Sequence, residues 1–195
     1  MKKRILVLGA GFGGLELTTL LSGSLGDTVE TPPKPATSST PWPGRSDSAS
    51  CSPHLFLGVP KHRAPKVVEA AGLTENDWVL VNPRTLETRF PGVYAIGDIA
   101  KTGIPKAEVF AEGAARAVAS SLIASLGGRG QPELNAGAGS CYVEFGGGRV
   151  GRVDVDFFSQ PSPVSSFQQP SASLCAEKER FGSSRRERWF GGATP

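Results

Sequence analysis

Short apolar runs alternate with segments of helical periodicity along this chain. Residues 5–8, 55–59 and 93–96 are short and continuously apolar, which is typical of strands buried on both faces of a parallel sheet. Residues 15–25 carry leucines at helical spacing, and residues 107–126 form a long run of small apolar residues. This order of strands and helices predicts an α/β fold.

Shorter elements follow in the second half. The pattern predicts a helical turn at 66–71, strands at 78–81 and 85–88, a hairpin of 141–145 with 149–157 around three glycines, a Pro/Ser/Gln-rich loop at 159–173, and a basic, partly helical tail at 174–190. The hairpin carries the strongest of these signals, because its two arms alternate apolar and polar residues.

Composition narrows the class of protein. Hydrophobic residues make up 38% and charged residues 20%, as in soluble globular proteins. The net charge of +3 is too small to indicate a nucleic-acid partner, and no apolar run is long enough to predict a transmembrane helix. The cysteines Cys51, Cys141 and Cys175 are dispersed, which argues against a disulfide framework and against a metal site and fits a cytoplasmic location. For Cys141 we expect a buried structural thiol.

The composition changes abruptly at residue 31. Residues 31–53 hold six prolines interleaved with serine and threonine. Since proline cannot donate to a sheet ladder, this stretch predicts a disordered, extended linker rather than a central strand.

A Gly-x-Gly-x-x-Gly motif lies between the first apolar run and the first helical segment. Gly9 would permit the tight turn, Gly11 would let the backbone approach a pyrophosphate, and Gly14 would let the helix pack on the strand. The helix N-terminus would then offer amides and a positive dipole end to the phosphates. The alternative is a glycine-rich turn that only packs. The motif also calls for an acid at the end of the second strand; Glu30 is the candidate, but it comes too early to hold a ribose hydroxyl, and an exposed loop carboxylate is the favoured interpretation.

A second candidate segment ends the apolar run at residues 93–96. Asp98 follows this run and would accept a hydrogen bond from a ribityl hydroxyl, although a helix-capping role is the alternative. The helix that starts near Ala107 would point its N-terminus at a flavin ring, with Lys106 beside it. A solvated lysine is an equal alternative for Lys106. The two motifs together indicate FAD rather than NAD.

These motifs define the expected architecture. We expect an α/β fold with a reduced Rossmann-like FAD-binding domain, a C-terminal antiparallel hairpin and a basic tail. The FAD-binding domain would comprise residues 1–30 and 54–130, with 31–53 as the linker and 131–195 as the C-terminal hairpin and tail. The tail mixes basic and aromatic residues, so it would either rest on an anionic membrane surface or cover the core as a solvated helix.

Three segments resemble a known family. They are residues 58–65 (Gly-Val-Pro-Lys-His-Arg-Ala-Pro), residues 85–98 (ending Val-Tyr-Ala-Ile-Gly-Asp) and Arg188-Trp189-Phe190-Gly191. With the glycine motif, they resemble the FAD-dependent pyridine nucleotide-disulfide oxidoreductase superfamily, in the branch of sulfide:quinone oxidoreductases and type II NADH dehydrogenases. The resemblance implies FAD as cofactor, a quinone or similar acceptor, and peripheral membrane contact through the C-terminal part.

The chain departs from that family in one large respect. Where the family has a second nucleotide-binding domain, this chain has only residues 31–53. We therefore interpret it as a relative from which an internal region has been deleted. The expected function is an oxidoreductase that passes electrons from NAD(P)H or sulfide to a quinone-like acceptor, impaired by the missing domain. The alternative is a non-catalytic nucleotide-binding or membrane-associating remnant. The expected location is cytoplasmic, or peripheral on the inner face of the cell membrane.

Overall fold

The computed structural model describes residues 3–7, 11–25, 29–30, 62–127 and 130–191. Within them the chain is a mixed α/β protein. Its elements are β1 (Lys3–Arg4), α1 (Phe12–Leu25), β2 (Val29–Glu30), α2 (Lys66–Ala70), β3 (Thr74–Glu75), β4 (Trp78–Leu80), a 3-10 turn (Gly97–Ile99), β5 (Ala100–Lys101), α3 (Glu108–Gly127), β6 (Ala138–Glu144), β7 (Val150–Asp156), β8 (Val164–Ser171) and α4 (Ala172–Phe190).

The core lies between α1 and α3. Leu17, Leu21 and Leu25 recur at helical spacing on one face of α1 and are buried. The facing side of α3 is built mainly of alanines, which lets the two helices pack closely. The buried residues of this core are Leu17, Leu21, Leu25, Leu86, Ala114, Ala115, Ala117, Val118 and Ala119. Both helices were expected from the sequence, at residues 15–25 and 107–126, and both are confirmed.

The first strand is shorter than expected and is covered on one side. β1 pairs in parallel with β2, with Lys3 opposite Val29 and Arg4 opposite Glu30. Beyond β1, Ile5 and Val7 pack against the helical core, whereas Leu6 is 77% exposed. The expectation of a strand buried on both faces is therefore wrong for the described residues 5–7, because no second layer covers the outer side.

The small sheet β3–β4–β5 has β4 at its centre. Thr74 lies opposite Val79 in an antiparallel pair, and Val79 lies opposite Ala100 in a parallel pair. The helical turn at residues 66–71 and the strand at 78–81 are confirmed, as Lys66–Ala70 and Trp78–Leu80.

The strands expected at residues 85–88 and 93–96 are absent from this sheet. Leu86 has a φ of 63°, and its amide donates to the Asn82 carbonyl at 2.7 Å, so the chain turns there instead of running extended. Residues 93–96 meet this turn through one isolated bridge, between Glu87 and Tyr94, and through the Ala95 amide, which donates to the Leu86 carbonyl. These contacts are local, and the residues form no named strand, so the prediction of a buried strand here is wrong.

The hairpin near the C-terminus is confirmed and is larger than expected. β6 and β7 pair from Ala138 opposite Asp156 to Glu144 opposite Val150. The sequence from 159 to 173, expected to be a loop, instead supplies β8, which pairs with the other edge of β7. Its serines and glutamines conceal the strand, because β8 is exposed along most of its length and shows no apolar alternation.

The basic tail is a complete helix. The Ser171 side chain caps α4 by accepting a hydrogen bond from the Leu174 amide at 3.2 Å, and Gly191 ends the helix in the left-handed conformation. Three sequence expectations lie outside the described residues: the linker at 31–53, the strand at 55–59 and the turn at Gly9.

A polar network joins α4 to the sheet. The Glu177 carboxylate accepts from the Tyr142 hydroxyl at 2.7 Å and pairs with Arg152 at 2.6 Å, while Arg152 also pairs with Asp154 at 3.1 Å. Hydrogen bonds from Tyr142 and Arg152 hold the pKa of Glu177 below its usual value. The pKa of Asp154 is lowered mainly by the hydrogen bond from the Ser140 hydroxyl.

This network predicts a loss of stability in acid. Because the carboxyl pKa values of Asp154 and Glu177 are lower in the folded chain, their contribution is present above about pH 4 and disappears as the pH falls through the folded values. We expect Glu177→Gln to lower the melting temperature at neutral pH, and we expect the difference from the parent to shrink as the pH falls through the lowered folded pKa of Glu177. Thermal melts across this range measure both, with the exposed Glu179→Gln as control. A deficit that persists unchanged in acid would contradict this assignment.

Candidate functional site

The glycine turn and the Asp98 turn, more than eighty residues apart in the sequence, lie side by side in the structure. A Cβ built on Gly13 would lie 3.2 Å from both the Ala111 carbonyl oxygen and the Cδ1 atom of Ile96, and one on Gly97 would lie 3.8 Å from Ala111 Cβ. The N-terminus of α1 therefore packs on the first turns of α3 and on the segment that leads to Asp98.

Gly11 is a glycine that nothing in the described part of the chain requires. It is exposed, its φ is outside the left-handed region, and no described atom lies within 4 Å of the position of a Cβ. Its carbonyl accepts from the Leu15 amide at 2.9 Å, so Gly11 immediately precedes the helix. The open space over Gly11 is where a ligand would approach the first amides of α1.

Gly13 has a packing role that sequence analysis did not assign to it. A Cβ built on Gly13 would lie 3.2 Å from a backbone oxygen and from Ile96, closer than side chains normally pack. Gly14, to which the sequence assigned a packing role, lies half-buried in the first turn of α1, where its carbonyl accepts from the Thr18 hydroxyl at 2.7 Å. The packing role of Gly14 stays a prediction, and the adjacent Gly13-Gly14 pair was the available signal for Gly13.

Lys106 is exposed, and its ammonium also contacts other groups of the chain. Its ammonium donates to the Asp98 carbonyl and lies 3.7 Å from the centroid of the Trp78 ring. Burial lowers the pKa of Lys106, and the nearby Asp98 charge opposes this shift. Lys106 thus ties the Asp98 turn to the chain before α3. Ala107 marks the start of that helix, since its carbonyl accepts from the amides of Phe110 and Ala111 at 3.1 Å.

The space beside Asp98 is small. A depression between the 3-10 turn and α3 holds a cavity of about 20 Å³, enough for roughly one water molecule. Asp98 itself is exposed at its edge. The described residues therefore fit the phosphate end of a dinucleotide at α1, whereas no cavity of flavin size is present at the Asp98 end.

Behind this site lies a cluster of buried charges that sequence analysis did not predict. Glu16 of α1 is 0% exposed and Glu112 of α3 is 1% exposed. Glu16 accepts hydrogen bonds from the Arg188 guanidinium and, at 2.9 Å, from the Trp189 indole. Glu112 pairs with Arg116 at 2.7 Å and with Arg185 at 2.8 Å. Three helices meet in this cluster, since its arginines come from both α3 and α4.

The cluster changes the interpretation of the tail. Arg185 and Arg188 neutralise internal carboxylates, and Trp189 is buried against Phe12 with ring centroids 5.7 Å apart. The tail therefore covers the core, which was one of its two expected roles. Glutamates at Glu16 and Glu112, among leucines and alanines on core-facing helix positions, were the signal that cations had to come from elsewhere.

The remaining candidate residues form no further site within the described chain. Cys141 is exposed on β6, so the expectation of a buried thiol is wrong, and Cys175 is half-buried on α4. The described residues contain no group of side chains suited to a metal ion. α3 is long and apolar enough to cross a membrane, with a mean hydropathy of 1.3, but it forms the packed centre of the core.

Comparison with models of known protein families gives no match, and comparison with curated proteins gives none either.

The buried cluster predicts a stability cost at Glu16. Replacing it as Glu16→Gln keeps the shape but leaves Arg188 only its longer contact with Glu112 at 3.5 Å, so we expect a loss of about 1–3 kcal/mol in unfolding free energy. Arg188 is partly exposed, which holds the cost below that of a fully buried pair. Urea unfolding measures the change, and Glu187→Gln, an exposed neighbour on α4, serves as control. Equal stability of the two variants would refute the role of the cluster.

Proposed function

We propose that this chain binds FAD, with the pyrophosphate at the N-terminus of α1, and acts as an electron-transfer flavoprotein of reduced activity. The observation that supports this most directly is Gly11. Neither packing nor backbone conformation among the described residues calls for glycine there, so an external group that approaches the backbone closely accounts for it best.

The chemistry of the turn favours an anion. The first amides of α1 have no partner inside the helix, and the helix dipole places partial positive charge at the same end. Asp98 lies in the turn next to this helix end and would accept from a sugar or ribityl hydroxyl. The parallel pair β1–β2 on either side of α1 is consistent with the start of a Rossmann-like layer.

FAD would supply reversible electron transfer to a quinone-like acceptor, as the family resemblance implies, at a cytoplasmic or inner-membrane surface. The donor, NAD(P)H or sulfide, would have no binding pocket beside Asp98 among the described residues. A larger cavity of about 320 Å³ is lined by residues 73–75, 80–82 and 87–90 and shares no lining residue with the Asp98 depression. Lys106 and the first turn of α3 enclose only about 20 Å³ next to Asp98. This small volume favours the second candidate function, a nucleotide-binding remnant without turnover.

Cofactor binding is expected to depend on Gly11. In Gly11→Ala the added methyl group would lie where the phosphates approach, so we expect FAD affinity to fall at least about tenfold while the fold is unchanged. Fluorescence titration with FAD and a thermal melt of the same protein give both quantities.

Two matched glycines separate binding from folding. Gly23 lies on α1 with no described atom near a Cβ, so Gly23→Ala should leave FAD binding and stability close to those of the parent. Gly13→Ala should destabilise the fold, because its Cβ would meet the Ala111 carbonyl at 3.2 Å. Parental affinity in Gly11→Ala would show that the pyrophosphate binds elsewhere.

Turnover is expected to be slow even with FAD bound. A donor must be held against the cofactor with water excluded, and the described residues form no pocket for it beside Asp98. Steady-state quinone reduction by NADH and by sulfide, with FAD-reconstituted protein, should run more than about tenfold below an intact relative of the resembled family, a barrier difference above about 1.4 kcal/mol. A rate within that factor would contradict the proposed impairment.

A further inference from the structure

The sheet β6–β7–β8 has its polar face inside and its apolar face outside. Along one face the register places Cys141 opposite Val153 and Val153 opposite Phe167, and it also places Val143 opposite Gly151. A Cβ on Gly151 would lie 2.9 Å from the Phe167 ring and 3.0 Å from the Phe145 ring, so both rings cross the same face. We call this the open face; it comprises Cys141, Val143, Phe145, Gly151, Val153 and Phe167.

The opposite face is the one that α4 covers. Tyr142 and Arg152 contact Glu177 there, and Glu144 pairs with Lys178. A half-buried antiparallel sheet normally turns its apolar residues to the core and its polar residues to water. This sheet departs from that rule, because its contact with α4 combines an ion-pair and hydrogen-bond network with the buried Val150 and the Tyr142–Phe181 ring pair, while several apolar residues of the other face stay exposed.

Little covers the open face. The exposed fractions are 43% for Val143, 56% for Phe145 and 46% for Phe167. The first turn of α3 reaches only the far end of the sheet, where a Cβ on Gly139 would meet Val109 at 2.7 Å. The hairpin turn beyond Phe145 projects freely, since no described atom lies within 4 Å of a Cβ on Gly146, Gly147 or Gly148.

The area of the open face favours a lipid bilayer over a second copy of the chain as its partner. Three strands about 4.8 Å apart and four residue steps of about 3.3 Å cover roughly 14 by 13 Å, or about 200 Å². A stable protein–protein interface needs about 800 Å² on each partner, so a second copy of the chain fits poorly. A lipid bilayer sets no such minimum, because aromatic and aliphatic side chains insert individually.

The distribution of charged side chains also favours a lipid bilayer as the partner of the open face. The open face carries no charged side chain, so burial in hydrocarbon leaves no ion to desolvate. On α4, by contrast, Lys178, Arg185 and Arg188 already pair with carboxylates of the chain itself. α4 is therefore a weaker candidate for electrostatic attachment than its sequence indicates.

We propose that the open face is the surface through which this chain rests on a phospholipid bilayer, with Phe145 and Phe167 inserted among the lipids. This inference rests on the membrane contact in the proposed function but moves the contact from the basic helix to the sheet. Apolar insertion drives the binding, so it requires neither anionic lipid nor low salt.

Vesicle flotation with the full chain tests this assignment. The parent should float with phosphatidylcholine vesicles, and added salt should change the bound fraction little. Phe145→Gln/Phe167→Gln should bind at least about tenfold more weakly, because each ring loses most of its apolar transfer free energy. The matched control is Phe190→Gln, which removes an exposed aromatic from α4 and should bind like the parent.

Each other outcome overturns the proposal. If the parent does not float, or if the double variant floats equally well, the open face does not contact lipid. If binding needs phosphatidylserine and is lost in Arg180→Gln/Arg186→Gln, the basic helix is the contact surface. If light scattering shows a dimer of the parent and a monomer of the double variant, the occupant is a second copy.

A second measurement covers the case in which the double variant fails to fold. Cys141 lies on the open face, so an environment-sensitive dye placed there in a Cys51→Ser/Cys175→Ser background should shift to the blue with phosphatidylcholine vesicles. An unchanged spectrum would overturn the proposal. FAD titration of the same proteins is independent of this result, because Gly11 lies outside the sheet; loss of FAD binding with intact flotation would refute only the cofactor proposal.

Discussion

The fold depends on the neutralisation of two carboxylates that are buried between α1 and α3. Glu16 and Glu112 are almost fully excluded from water, and isolated charges in such a place would be strongly unfavourable. Arg185 and Arg188, from the last helix of the chain, neutralise them. The C-terminal helix is therefore an obligatory part of the core, and the first and last elements of the chain depend on each other.

The same ion pairs help to position the helices in a core that has few layers of secondary structure. The described residues offer one close helix pair and three small sheets, so apolar burial is limited. Leu6 is left exposed where a further layer would lie in a larger α/β domain. The buried ion pairs fix the relative positions of three helices, which hydrophobic contacts in a small core define less sharply.

Sequence periodicity predicted the elements that show a regular apolar spacing or that pair with a neighbouring segment of the chain. The helices α1 and α3 and the β6–β7 hairpin follow from apolar spacing and glycine turns, and all are present. β8 was missed because an exposed edge strand of serines and glutamines has no apolar alternation. The strand expected near Val93 is absent because the left-handed Leu86 turns the chain locally, and a positive φ at a leucine has no sequence signal. Pairing of Glu16 with Arg188 joins residues 172 positions apart, beyond the reach of any local pattern.

The placement of the candidate site follows from these constraints. Gly11 precedes α1 directly, and Glu16 lies little more than one helical turn further along, so the helix end that would face a phosphate is held by the same contacts that bind Arg188 and Trp189. Gly13, on the same face of α1 as Glu16, packs this helix end against Ala111 and Ile96. The helix end proposed to bind the phosphates is thus built on packed elements.

The Asp98 end of the proposed site is a short exposed turn that Lys106 contacts. A cofactor held firmly at α1 would therefore meet a closed surface near Asp98. This asymmetry favours cofactor retention over catalysis, because binding at α1 needs only backbone amides, whereas turnover needs a second, enclosed half.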